Sequence, residues 1–100
     1  MARAQPIEIA GVPFSKKSAA LSYMRGILTK YHPEEMISKV DARFMAKALE
    51  NHPDASEKIG LGVKSIFVRR ADYGTKCFWV ERLDGAEVKF SYKYCASKTN

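Results

Sequence analysis

The sequence predicts an α+β fold: two helices and a helical turn on one face of a small antiparallel sheet of three to four strands, in β-α-α-β-β-β order. Three observations predict it. Two stretches, 16–31 and 39–51, carry apolar residues at helical spacing. Three runs rich in β-branched and aromatic residues follow at 63–70, 76–83 and 86–92, separated by turn-forming residues. The chain has 100 residues, enough for one domain with a single modest core, and residues 7–95 are expected to form its ordered part.

Residues 1–5 are expected to fray. Ile7 and Ile9 flank polar Glu8, which predicts a short strand, and Gly11, Val12 and Pro13 interrupt it. Whether that strand joins the sheet stays open. Ser15 is a suitable N-cap, with Phe14 before it as a staple residue. In the first helix Ala20, Met24, Ile27, Leu28 and Tyr31 share one stripe, and Lys16, Lys17, Arg25 and Lys30 lie mostly off it. Gly26 lowers helix propensity by about 1 kcal/mol relative to Ala, and Pro33 stops the helix. Ser38 or Asp41 caps the second helix, whose stripe is Ile37, Val40, Phe44, Ala48 and Leu49. Lys39, Arg43 and Lys47 form a basic ridge along it, which by itself reads as a solvated face.

His52-Pro53 closes the second helix, Asp54 can cap a helical turn ending at Ile59, and Gly60 suits the left-handed position after it. With Gly62, the segment KIGLGVK sets two glycines between Lys58 and Lys64. Backbone N–H groups in such a turn can hold an anion, but a helix stop feeding a strand is the favoured reading. Asp72-Tyr73-Gly74-Thr75 predicts a turn. Asp84-Gly85 predicts a two-residue hairpin, which would pair Leu83 with Ala86, Glu81 with Val88, Trp79 with Phe90 and Cys77 with Tyr92 on the helix-covered face. The expected core is Trp79, Phe90, Val88, Tyr92, Ile66, Val68, Met24, Ile27, Leu28, Phe44 and Leu49. Phe67 and Phe78 would then point outward, Phe78 beside Val80 and a set of lysines. A slip of one residue would exchange the two faces.

Charge and composition narrow the function. The net charge of +6 and pI near 9.4 favour a polyanionic partner over plain solubility. Two cysteines are too few for a disulfide framework. No apolar run reaches the length of a membrane span, and the opening MARAQPIEIAG lacks the apolar stretch of a secretory leader. The expectation is a cytoplasmic, reduced monomer without a membrane segment.

Several residues of the second half also carry a family resemblance. They are His52-Pro53, Lys58-Ile59-Gly60, Gly62, Cys77-Phe78, Val80, Arg82, Asp84-Gly85, Phe90-Ser91-Tyr92 and Cys95. The stretch from 52 to 95 resembles the DCL family, named for "defective chloroplasts and leaves", as a small stand-alone member of the bacterial type. Phe14 and the first helix fit that family's opening. The resemblance implies RNA metabolism: plant members are tied to chloroplast ribosomal RNA processing, and a similar domain ends the largest subunit of plant RNA polymerase V. It brings no catalytic site. One departure is Val88-Lys89, which stands where the family pattern has an acidic residue.

Four chemistries compete. A nucleic-acid platform on the outer sheet face would stack a base on Phe78 and hold phosphates with Lys76, Arg82, Lys89 and Lys93, with Lys58 and Lys64 beside the glycine pair. An ordinary sheet face with solvated lysines is its plain alternative. Pro53-Asp54 and Glu87-Val88-Lys89 mimic a metal-dependent nuclease pattern, over a gap that favours coincidence. Cys77, Cys95, His32 and His52 lack the paired spacing of a zinc site. A protein-interaction module would use an open face or strand edge. The sequence therefore predicts a non-enzymatic, RNA-binding accessory factor in RNA processing, with ribosomal RNA maturation suggested by the resemblance. It needs no cofactor, metal or catalytic residue. A protein-interaction module is the alternative and a metal-dependent nuclease a distant third.

Overall fold

Ile7–Ile9 (β1) folds straight back onto Val12–Phe14 (β2) and so never reaches the main sheet. Ala10 and Gly11 both have positive φ, 53° and 80°, the geometry of a tight hairpin whose twist matches its strands. The computed structural model describes residues 7–71 and 74–96; the expected frayed end lies outside them. Among the described residues the protein is α+β, with three α-helices and two antiparallel sheets of two and four strands.

Helix α1 (Lys17–Lys30) buries Ala20, Met24, Ile27 and Leu28, the predicted stripe. Its N-cap is Lys16, without a side-chain cap, so Ser15 does not take that role. Ser38 does cap α2 (Lys39–Leu49), its Oγ accepting the Asp41 N–H at 3.2 Å. The buried side of α2 is Asp41, Phe44, Met45, Ala48 and Leu49. Val40 sits one position off that stripe and is 77% exposed, contrary to expectation. One polar knot joins the two helices. Tyr31 Oη donates to Asp41 Oδ2 at 2.6 Å and accepts the Ser38 N–H at 2.9 Å, and Lys30 Nζ lies 2.7 Å from the same carboxylate. Burial pushes the Asp41 carboxyl up, but the bonds from Lys30 and Tyr31 outweigh it and hold it below the ordinary carboxylate range.

The main sheet runs β3-β4-β5-β6: Glu35–Met36 (β3), Val63–Arg70 (β4), Lys76–Arg82 (β5) and Glu87–Phe90 (β6). The turn predicted at 72–75 falls partly on Asp72 and Tyr73, which lie outside the described residues; around them the Ala71 N–H donates to Thr75 O at 2.7 Å. Helix α3 (Ala55–Ile59) precedes β4 and ends at Gly60, φ 57°. Asp54 stands at its N-cap but makes no side-chain capping bond.

The register of β5 on β6 differs from the expected one by one residue. Phe78 pairs with Phe90, Trp79 with Lys89 and Val80 with Val88. The Arg82 N–H bonds Ala86 O at 2.9 Å and the Gly85 N–H bonds Arg82 O at 2.9 Å. The loop is therefore Leu83-Asp84-Gly85, three residues with Gly85 at φ 90°, the bulged hairpin form rather than the two-residue one. The predicted faces of β6 survive, since Val88 and Phe90 still meet the core. Those of β5 are exchanged. Phe78 and Val80 are fully buried with Ile66, Val68 and Phe90, Trp79 turns to the outer face, and Leu83 is 61% exposed. Ile66 and Val68 point inward as expected.

This register makes a sharp prediction. Phe78→Ala should lower the unfolding free energy by about 3–5 kcal/mol, as for other emptied core phenylalanine sites. Leu83→Ala should stay within about 0.5 kcal/mol, as for exposed positions. Urea unfolding checks both, and the opposite ranking would restore the two-residue loop.

Candidate nucleic-acid interface

β6 ends at Phe90, and the chain bends into a single 3-10 turn, Tyr92–Tyr94. Ser91 makes the bend: its Oγ accepts the Lys93 N–H at 3.3 Å and its carbonyl accepts the Tyr94 N–H at 3.2 Å. The turn is anchored from both sides. Tyr92 packs edge-on against Phe78, 6.3 Å between ring centroids. Cys95 and Ala96 are buried, and Asn51 Nδ2 donates to Cys95 O at 3.3 Å. Lys93 and Tyr94 are thereby held on an exposed ridge. Burial pushes the Cys95 thiol up to about 12, which makes it an inert packing group.

Several grooves border this ridge, one of them about 580 Å³ and lined in part by Arg25, Lys76, Ser91 and Lys93; two include Tyr94. The first, of about 980 Å³, runs between the ridge and α1, and its polar lining is Lys17, Arg25, Lys93, Ser18, Ser22 and Ser91. The second, of about 480 Å³, is lined by Lys58 and Lys89 with His52, Asp54 and Cys77. Ser91 and Tyr94 belong to both. Among the described residues, Asp54 is the one acid lining either groove. Lys17, Arg25, Lys58 and Lys93 form no salt bridge with a described carboxylate. Cations gathered along two grooves, four of them without a described carboxylate partner and with serine hydroxyls beside them, suit an extended polyanion.

The expected outer-face platform does not form. Phe78 is 0% exposed beneath the helices and offers no face to a base. The outer face carries Phe67 stacked on Trp79 at 6.3 Å, with the Arg69 guanidinium over both rings at 4.7 and 5.2 Å. Arg69 is in turn held by Glu34 at 3.0 Å and Glu87 at 2.9 Å. The seven predicted contacts separate accordingly. Lys76 donates to Thr29 O and Tyr31 O, at 3.4 and 2.8 Å, and so ties the C-terminal carbonyls of α1 to β5. Arg82 bonds Asp84 and the Glu57 carbonyl and lies against Gly60, where a Cβ would come within 3.1 Å of it. Lys64 pairs with Glu81 at 3.7 Å. Lys58, Lys89 and Lys93 do line the grooves. The Gly60 and Gly62 N–H groups bond Ser56 O and Ile59 O, so the glycine pair serves as a helix stop. Among the described residues no three His, Cys, Asp or Glu side chains gather into a metal-binding group.

Sequence reasoning missed Lys17, Arg25 and Tyr94 as groove residues. A signal was present: Lys17, Leu21 and Arg25 recur every fourth residue with Ser18 and Ser22 alongside, the same spacing as the Lys39-Arg43-Lys47 ridge.

Three comparisons bear on identity. Residues 25–96 match the family described as "Protein of unknown function (DUF3223)". The solution NMR structure of an uncharacterized protein from Rhodospirillum rubrum is similar at 55% identity and a TM-score of 0.85, over 95% of this chain and 91% of that one. In Arabidopsis thaliana, DNA-directed RNA polymerase IV subunit 1 is 34% identical over 93 residues, 90% of this chain; the chain spans 6% of that subunit's length. The family match and the bacterial structure overturn the assignment to the DCL family.

His52 supplies a pH test of the second groove. Its Nδ1 accepts the Asp54 N–H at 2.9 Å, which requires that nitrogen to be unprotonated. Burial first, and Lys58 second, hold the imidazole below its ordinary pKa of 6.5, with Asp54 acting in the opposite sense. The unfolded chain then takes up the proton first. His52 supports folding above pH 6.5, and that support is lost as the pH falls from there toward the folded pKa. Wild type should therefore lose more stability between pH 7.5 and 5.5 than His52→Asn, by at most about 1.4 kcal/mol per pH unit. Urea midpoints at both pH values check this. Equal losses would show that His52 stays uncoupled from folding.

Proposed function

The chain belongs to the DUF3223 family of proteins of unknown function, and on that premise we propose that it is a non-enzymatic RNA-binding accessory domain. One observation carries the reading. Five cations from α1, α3, β6 and the ridge itself line the grooves that meet at Ser91 and Tyr94, with Asp54 the one acid lining them among the described residues. Neutralising phosphates with such a set releases condensed counterions, so binding weakens steeply with salt. Similarity to a segment of an RNA polymerase subunit supports work beside nucleic acid. A protein-docking module is the second reading. The same similarity favours it, because the chain corresponds to a small part of a very large subunit. It would show negligible RNA affinity and a stoichiometric protein partner that survives nuclease treatment.

Fluorescence anisotropy with labelled RNA at several salt concentrations tests the proposal. Wild type should bind at low salt. The triple variant Lys17→Glu, Arg25→Glu, Lys93→Glu should bind far more weakly, with a salt slope shallower by roughly 0.7 for each phosphate it no longer neutralises. The control triple Lys39→Glu, Arg43→Glu, Lys47→Glu makes the same charge change on α2, outside either groove, and should retain most of the affinity. Equal losses in both variants, or no binding by wild type, would overturn the RNA reading.

A further inference from the structure

We propose that Tyr94 is the base-stacking residue of the two grooves and makes them select unpaired nucleotides of single-stranded RNA. This rests on the RNA-binding reading above and names the form of RNA bound. Tyr94 is 56% exposed at the crest between the grooves. Lys17, Arg25 and Lys93 lie on one side of it and Lys58 and Lys89 on the other. A strand crossing the ridge from one groove to the other would keep phosphates near cations on both sides and bring a base over the ring.

The ring is positioned rather than loose. It packs against the His52 imidazole, 5.5 Å between centroids at 69°, and His52 is itself buried and fixed by the Asp54 N–H. A pre-set ring loses little freedom when a base lands on it. Other rings are committed elsewhere. Phe67 and Trp79 lie under Arg69 and its two carboxylates, Tyr23 packs with Phe14 and Phe44, and Tyr31 bonds Asp41. The Tyr94 hydroxyl makes no hydrogen bond with the described residues, so its function does not depend on a fixed polar partner. Bases in a duplex are already stacked on both faces, whereas single-strand bases splay out onto aromatic rings. Duplex RNA could thus use the cations but not Tyr94.

The test compares labelled single-stranded RNA, the same strand with an abasic site walked along it, and the corresponding duplex. Tyr94→Ala should weaken single-strand binding roughly 5- to 150-fold, the range for loss of one stacked base. It should leave duplex affinity and the salt slope unchanged. Tyr94→Trp should retain binding, and one abasic position should reproduce the loss in wild type. Should Tyr94→Ala fail to fold, Tyr94→Leu keeps an apolar contact to His52 without an aromatic face and carries the same test. If the alanine or leucine variant binds single strands like wild type while the triple charge variant does not, Tyr94 stacking is wrong and the groove reading stands. If wild type binds no RNA at low salt, both fall.

Discussion

The three-residue loop Leu83-Asp84-Gly85 is the constraint on which the rest of the structure depends. It sets the β6 partners of Phe78, Trp79, Val80 and Glu81, and a one-residue change of register exchanges faces because side chains alternate along a strand. With Phe78 opposite Phe90 and Val80 opposite Val88, the aromatic and aliphatic layer beneath α1 and α2 is continuous from β4 to β6. Phe78 and Phe90 stack at 5.7 Å, and Tyr92 meets Phe78 edge-on just beyond. That last contact aims the chain after β6. The exposed ridge is therefore a consequence of the core register as much as of its own residues.

The same register sorts the charges. Residues on the outer side of β4, β5 and β6 find partners in one another: Arg69 with Glu87, Lys64 with Glu81, and Glu34 reaching in from beside β3. Exposed pairs of this kind contribute little to stability, about 0–1 kcal/mol each. Their larger effect is on the surface field. They consume carboxylates on one face, whereas Lys17, Arg25, Lys58 and Lys93 form no salt bridge with a described carboxylate. Part of the positive charge thereby gathers along the two grooves, apart from the Lys39-Arg43-Lys47 ridge of α2.

Two of the residues expected to touch nucleic acid hold the fold together instead. Lys76 satisfies carbonyls at the end of α1, and Arg82 lies across Gly60 and bonds the Glu57 carbonyl. Sequence cannot separate such roles, since a buried-stem cation bonded to a helix end reads like any other lysine or arginine. Local signals fared better. The helical stripes of Met24, Ile27 and Leu28, and of Phe44, Ala48 and Leu49, lie where their spacing puts them, and the strand at 63–70 has the expected bounds. The Asp84-Gly85 dipeptide marked the hairpin correctly. Its length was another matter, because aspartate and glycine suit both the two-residue turn and the bulged three-residue loop.

By itself the amino-acid order determined the α+β class, the helix faces, the inward side of β4 and β6, and the excess of positive charge. Those properties follow from periodicity and composition, which act over a few neighbouring residues. Only the tertiary structure decided that Phe78 lies inside and Trp79 outside. It alone brought Lys17 and Arg25 beside Lys93 and set Tyr94 between two basic grooves. The physical reason is that one residue of loop length reverses a strand's faces, and residues far apart in the chain meet only once the core has chosen its register.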